Sequence, residues 1–269
     1  MLLQQLFLMF KFKPMVKYLF TFLFIVASIC FTYQPATTSI HGTRVWSAKT
    51  DTDYKLQQLC KAKGLSYPPA RLYMRVFKSE NVLEVWAANT SSSDYILLKS
   101  YEACAMSGEL GPKLRQGDKQ VPEGFYHISG YNPWSLYYLS MKVSYPNAAD
   151  RKISPFSNMG GDIFMHGMCK SIGCVSIGTP SIKEVYWLTS QVRSKHGQRR
   201  IPMHIFPARL SDAKYNILQH LYQNKASFCQ LWSKLKIGYD YFEETRQVPR
   251  TYIDRKGNYQ FKEDLLAAP

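Results

Sequence analysis

Apolar and polar residues alternate with a period of two over short stretches of the chain's first half, the pattern of strands that bury one face. Leu72, Met74 and Val76 alternate with Tyr73, Arg75 and Phe77. Ser79-Glu-Asn81 reads as a turn, and Val82 to Trp86 as the returning arm of a hairpin. Tyr95 to Leu98, Phe125 to Ile128, Leu136 to Ser144 and Ile201 to Phe206 predict further strands, with a break of phase near Ser140. Helical spacing marks Asp51 to Lys63, which Gly64 ends. A second helix opens at Thr179-Pro180, with Thr179 as N-cap and Pro180 as first helical residue, and stops at Gly197. Two more helices are expected near 211–223 and 227–236, then an irregular basic tail whose Tyr239-Asp-Tyr-Phe242 packs back onto the domain. The pattern predicts an α+β fold, mainly a mixed β-sheet with flanking helices. Residues 37–66 read as an aperiodic tether and a short helix, 67–207 as the main domain, and 208–269 as a helical C-terminal extension.

The amino terminus changes the picture of where the chain works. Lys11, Lys13 and Lys17 precede the apolar run Tyr18 to Ile29. That run has the length of a signal-peptide core and is short for a membrane span. Residues 1–36 therefore predict export, with an uncleaved inner-membrane anchor as the alternative because Leu2 to Phe10 is also apolar. Cys30 follows Ile29 rather than a small residue, which argues against lipidation. The whole chain carries 34 Lys+Arg against 19 Asp+Glu, a formal charge of +15. A charge of this sign seeks anionic partners. No phosphate loop, zinc spacing or aromatic-basic motif points to nucleic acid. An anionic envelope polymer or membrane surface remains, beside plain solvation of the surface.

Candidate chemistry concentrates in Asp162-Ile-Phe-Met-His166-Gly-Met-Cys-Lys-Ser171-Ile-Gly173-Cys174-Val175. A cysteine attacks as thiolate, and an ordinary thiol is mostly protonated near neutral pH. Nearby His166 can take that proton and return it to a leaving amine. Gly173 permits a tight turn that aims backbone N–H groups at a developing oxyanion. Ser171 is expected to steady the turn or the histidine. Residues 162–166 and 174–177 read as two short strands flanking this site. The chain has 6 cysteines, and an exported protein can oxidise some of them. His204, alone in a strand, reads as a packed residue.

These residues resemble the L,D-transpeptidase catalytic domain, also called the YkuD domain, and within it a YafK-like branch. The resemblance rests on Gly160 to Cys169, on Ser107-Gly-Glu-Leu-Gly-Pro-Lys113, on Gly117 to Tyr126, on Tyr145 to Asp150 and on Ile201 to Pro207. It runs from about Leu72 to Pro207. The chain departs from the broad family in three ways: only seven residues separate His166 from Cys174, Ile172 replaces a second histidine, and Ser176 replaces an arginine.

The resemblance implies an enzyme of cell-wall biogenesis and cell shape, working in the periplasm or cell envelope without a cofactor or metal. Its partners would be peptidoglycan peptide stems, with a peptidoglycan-attached lipoprotein as a further candidate and no nucleic acid. Cys174 would be the nucleophile, His166 the general acid/base, Gly173 the oxyanion turn and Ser171 a support. The loop 106–124 is rich in Gly, Pro, Lys and Arg, and Lys113 is its expected substrate contact. Asn147 and Asp150, in the loop 146–161, are expected to brace it rather than bind. Cys104 and Cys169 both sit in matching segments, as a disulfide or as a pair of buried thiols. An amine acceptor makes the protein a transpeptidase, water makes it a hydrolase of the same bond, and a non-catalytic envelope-binding protein is the third reading.

Overall fold

The computed structural model describes residues 40–262, so the expected export segment lies outside it. The alternating stretches become β1 (Arg71–Phe77), β2 (Val82–Ala88), β3 (Ile96–Glu102) and β4 (Ala105–Met106). β5 (Gly124–Asn132), β6 (Ser140–Val143), β7 (Phe164–His166), β8 (Val175–Ser176) and β9 (Ile201–Phe206) complete one nine-stranded sheet. Its order is β3-β2-β1-β9-β5-β6-β7-β8-β4. The pairs β1/β9 and β7/β8 are parallel and the rest antiparallel, which makes the sheet mixed as expected.

Both faces of the sheet are buried near its middle, so β1 is covered along almost its whole length. Leu72, Met74 and Val76 join Ile128, Met141, Val143, Met165 and Val175 in one core. Two helices cover this side, α1 (Ile40–Ala62) through Leu56 and Cys60 and, after α2 (Ala148–Ile153), α3 (Gly178–His196) through Ile182, Val185 and Val192. Tyr73 and Phe77 face the other way, as the pleat requires. They meet α5 (Ala226–Thr245), which follows α4 (Asp212–Leu221) and buries Trp232, Leu235, Tyr239 and Phe242. Each such fully buried large apolar side chain contributes about 1.5–3 kcal/mol.

Four expectations change. Residues 40–49 are helical rather than a tether, because Ala48 packs into the core and the Arg44 guanidinium bonds the carbonyls of Ser135 (2.6 Å) and Tyr138 (2.8 Å). Residues 136–139 are not strand: Leu136 is 88% exposed and Tyr138 has φ +76°, so the break of phase marks the true start of β6. α3 begins at Gly178 with Ile177 as N-cap, while the Thr179 hydroxyl instead accepts the Met168 N–H. The last helix, α5, runs on through Tyr239–Phe242, which were expected in an irregular tail, and the tail beyond it contains a hairpin, β10 (Thr251–Ile253) and β11 (Tyr259–Phe261), whose Tyr259 and Phe261 pack against Phe125. The expected bracing by Asn147 and Asp150 takes the form of a capping box on α2.

A buried ion pair holds the loop between β4 and β5. The Lys78 ammonium lies 2.9 Å from the Glu123 carboxylate, with both side chains shut from solvent. Lys78 also donates to the carbonyls of Gly111 and Val121. Glu123 accepts the Gly111 N–H and, on its other oxygen, the Trp232 indole N–H. Removing one partner of such a pair leaves a buried charge unmatched, at a cost of about 3–5 kcal/mol. Glu123→Ala should therefore lower the free energy of urea unfolding by that amount. Asp51→Asn, at the exposed pair with Lys183, should leave the unfolding midpoint unchanged.

Candidate active site

β7 and β8 are paired in parallel, with His166 opposite Ser176. β7 ends on the histidine, and β8 begins one residue after Cys174. Met165 and Val175 are buried in the core below. His166 lies on the opposite side of β7, and it lines one cleft of about 820 Å³ together with Cys174. Gly160, Gly161, Phe164 and Ser171 contribute to the same wall, and Trp134, Leu136 and Tyr137 form an apolar rim.

The imidazole has a fixed proton position. Its Nδ1 lies 2.6 Å from the Gly167 carbonyl, which can only accept, so Nδ1 carries the hydrogen and Nε2 is left with a lone pair. Tyr137 stacks on the ring at 4.6 Å with an interplanar angle of 28°. Burial pulls the His166 pKa below its ordinary value, against the Gly167 bond. Burial pushes the Cys174 thiol up, opposed by a backbone hydrogen bond at Phe164; Asp162 adds to the rise and Lys113 opposes it. Both shifts favour a neutral imidazole beside a neutral thiol.

The turn before Cys174 is tied by Ser171. Its hydroxyl donates to the Cys174 carbonyl at 2.7 Å, accepts the Gly173 N–H at 3.3 Å and pairs with the Ser107 hydroxyl at 3.0 Å. Ser171 thus braces the turn, and none of these hydrogen bonds reaches His166. Gly173 has φ +124°, and a Cβ there would stand 3.2 Å from the Gln120 carbonyl. Position 173 therefore admits little but glycine. Gly167 is equally confined, since a Cβ would stand 2.9 Å from the Tyr137 carbonyl.

Lys113 lines the cleft, but it is buried and its ammonium is bonded to Asp118 and to the Arg115 carbonyl. It shapes the loop and sends positive potential toward the thiol. Cys104 and Cys169 form a disulfide, both residues exposed, and the segment between the two catalytic candidates is thereby fixed to β4. Ser176 is fully buried and donates to the Met168 carbonyl from below. Tyr137, Trp134 and the Arg44 prop beneath their loop were not read from the sequence as site residues. Their signal was an apolar run that looked like strand.

The chain is 38% identical over 184 residues to YafK of Escherichia coli K12, named as a candidate L,D-transpeptidase; the match covers 68% of this chain and 70% of that protein. The chain belongs to the YafK-type L,D-transpeptidase family. The O157:H7 strain's protein of the same name matches equally well. No family model matches. Among solved structures, the helical cell shape determining protein Pgp2 of Campylobacter jejuni superposes with a TM-score of 0.41 at 14% identity, covering 68% of this chain and 73% of that one. Bd1075 of Bdellovibrio bacteriovorus gives 0.36 at 24% identity, covering 64% and 61%. Among the described residues no helix is long and apolar enough to cross a membrane, and no cluster of His, Cys, Asp or Glu could hold a metal ion.

For this L,D-transpeptidase-family cleft the two pKa directions give a direct test. Alkylation of Cys174 by iodoacetamide, followed on its peptide by mass spectrometry, should climb through a thiol pKa above the ordinary ~8.5, with no plateau between about pH 6 and 8. Asp162→Asn removes a charge that raises the thiol and should shift the curve to lower pH. A plateau near neutrality would reveal a thiolate–imidazolium pair instead.

Proposed function

We propose that the protein is an exported, cysteine-dependent L,D-transpeptidase of peptidoglycan. The observation that carries the reading is that a tautomer-fixed His166, at the end of β7, and Cys174, just before the neighbouring β8, line one open cleft. His166 Nε2 takes the thiol proton as Cys174 Sγ attacks the amide carbonyl at the L-centre of a diaminoacyl residue in a peptide stem. The tetrahedral oxyanion meets the Cys174 backbone N–H, because the Gly173 N–H is already given to Ser171. Collapse breaks the C–N bond, and the imidazolium returns its proton to the departing D-alanine amine. A stem amine then attacks the thioester and releases the thiol.

The family membership and the disulfide, a bond of oxidising compartments, support export and a cell-wall substrate. The apolar rim of Trp134, Leu136 and Tyr137 sheds water from the cleft mouth and so favours an organic amine as acceptor. The full chain incubated with disaccharide-tetrapeptide should yield a cross-linked dimer lacking one D-alanine. Cys174→Ala should yield none while melting at the same temperature. Retained turnover in that variant would sink the assignment. A monomer shortened by D-alanine would make water the acceptor.

A further inference from the structure

A second groove, of about 710 Å³, opens between β5, the start of β9 and the β10–β11 hairpin. Its lining includes Arg200, Arg250, Lys262, His127 and Ser144, and none of its lining residues is acidic. Arg200, Arg250 and Lys262 are exposed, and none enters an ion pair among the described residues. Glu263 and Asp264, which follow Lys262, lie outside those residues. Arg200 is close enough to His127 to depress its pKa, behind the larger effect of burial. Like charges gathered in one concavity repel one another, and a bound anion would relieve that cost. Tyr252, 53% exposed, adds an aromatic wall.

The register places this groove on the same side of the sheet as the catalytic cleft. Ile128, Met141, Val143 and Met165 face the core under α1 and α3. Their neighbours point the other way. His127 is backbone-paired with Ser144, Gly130 with Lys142, and Ser140 with His166. β6 therefore crosses between the two sites. Ser140 lines the cleft and Ser144 the groove, with Lys142 between them on the same face. Four residues of strand span about 13 Å, a gap that an extended polymer bridges and a single small ligand does not.

We propose that the groove is a second subsite, which takes the carboxylates of a peptidoglycan strand whose other portion occupies the catalytic cleft. The inference rests on the proposed function for its substrate. Two arginines offer planar, bidentate donors to carboxylates, and the Tyr252 ring offers a face to the C–H side of a sugar. The groove would distinguish polymeric wall from a free stem fragment, which fills the cleft alone.

The test uses the full chain carrying Cys174→Ala, so that turnover cannot alter the sacculi, with and without Arg200→Gln/Arg250→Gln/Lys262→Gln. A charge-matched control carries Lys55→Gln/Lys61→Gln/Lys63→Gln, on exposed positions of α1 and of the turn that follows it. The groove variant should lose about tenfold or more in affinity for sacculi by co-sedimentation, while the α1 control keeps it. Amidating the carboxylates of the sacculi should abolish the difference between parent and groove variant. With Cys174 intact, the groove variant should convert soluble disaccharide-tetrapeptide at the parental rate. Unchanged sacculus binding in the groove variant, or an equal loss in the α1 control, would overturn the proposal. So would loss of binding to phosphatidylglycerol vesicles with sacculus binding retained, which would assign the groove to phosphate. Failure of the Cys174-intact parent to convert the soluble stem would refute the proposed function alone, because the binding arms still judge the groove.

Discussion

The buried Lys78–Glu123 pair is the constraint on which the site's construction depends. It joins the end of β1, the long loop before β5 and the indole of α5 in one network whose charged atoms are bonded. A half-satisfied network of this kind would be worse than an apolar contact, and a complete one rigidifies what it touches. What it touches matters for chemistry. The same loop brings the Gln120 carbonyl against Gly173 and gives the Ser107 backbone N–H to the Ser171 hydroxyl. The turn that presents Cys174 is thus held from outside its own short segment, by a loop whose anchor lies across the sheet. The helices beyond residue 208 belong to the same packing, since Trp232 supplies one of the bonds to Glu123.

The neutral pairing of His166 with Cys174 has a chemical logic beside a disulfide. The Cys169 sulfur is five residues before Cys174 in sequence, and an exposed disulfide is open to attack by a nearby thiolate. Exchange proceeds through the thiolate, so a thiol held protonated by burial is protected from it. In the proposed mechanism, general-base activation would then produce the nucleophile only as an acyl substrate arrives and the proton moves to Nε2. An ion pair at rest would attack more readily and also exchange more readily. The Gly167 carbonyl, by fixing the tautomer, keeps Nε2 available for that transfer.

Much of the sheet was legible because alternation reports burial of one face, as in Leu72, Met74 and Val76. The interleaved Arg75 was less legible: it is buried too, paired with Glu84 and Glu243 and enclosed by aromatic rings, and no local pattern announces a charge that its partners neutralise from residues far along the chain. The turn of Ser171, Gly173 and Cys174 was readable because a turn tied by its own serine is a local object. Residues 136–139 were misread for the opposite reason. Trp134, Leu136 and Tyr137 have strand composition, yet they are exposed at a cleft mouth, and their conformation is set by Arg44, some 90 positions upstream. Lys113 was readable as a loop cation but not as a buried one, because Asp118 meets it through a turn rather than a repeat.

The sequence's excess positive charge also takes on a direction once the fold is known. In the composition it suited any anionic partner or simple solvation. Part of it gathers in one place: on the side of the sheet away from α1 and α3, the cleft, Lys142 and the basic groove lie in succession across β6, although other exposed lysines stand on α1. A concave basic groove of this kind would orient an approaching polyanion before contact, because the field over a concave basic surface exceeds that over scattered surface charges. If the proposed function holds, an enzyme acting on one bond in a continuous mesh has more to gain from orientation than from affinity at the reacting bond, since uniform binding of the stem would not speed acyl transfer. Binding energy taken remote from Cys174 can instead hold the amide against the thiol in a single pose. The separation of the basic groove from the cleft along β6 is what the proposed division of labour would require.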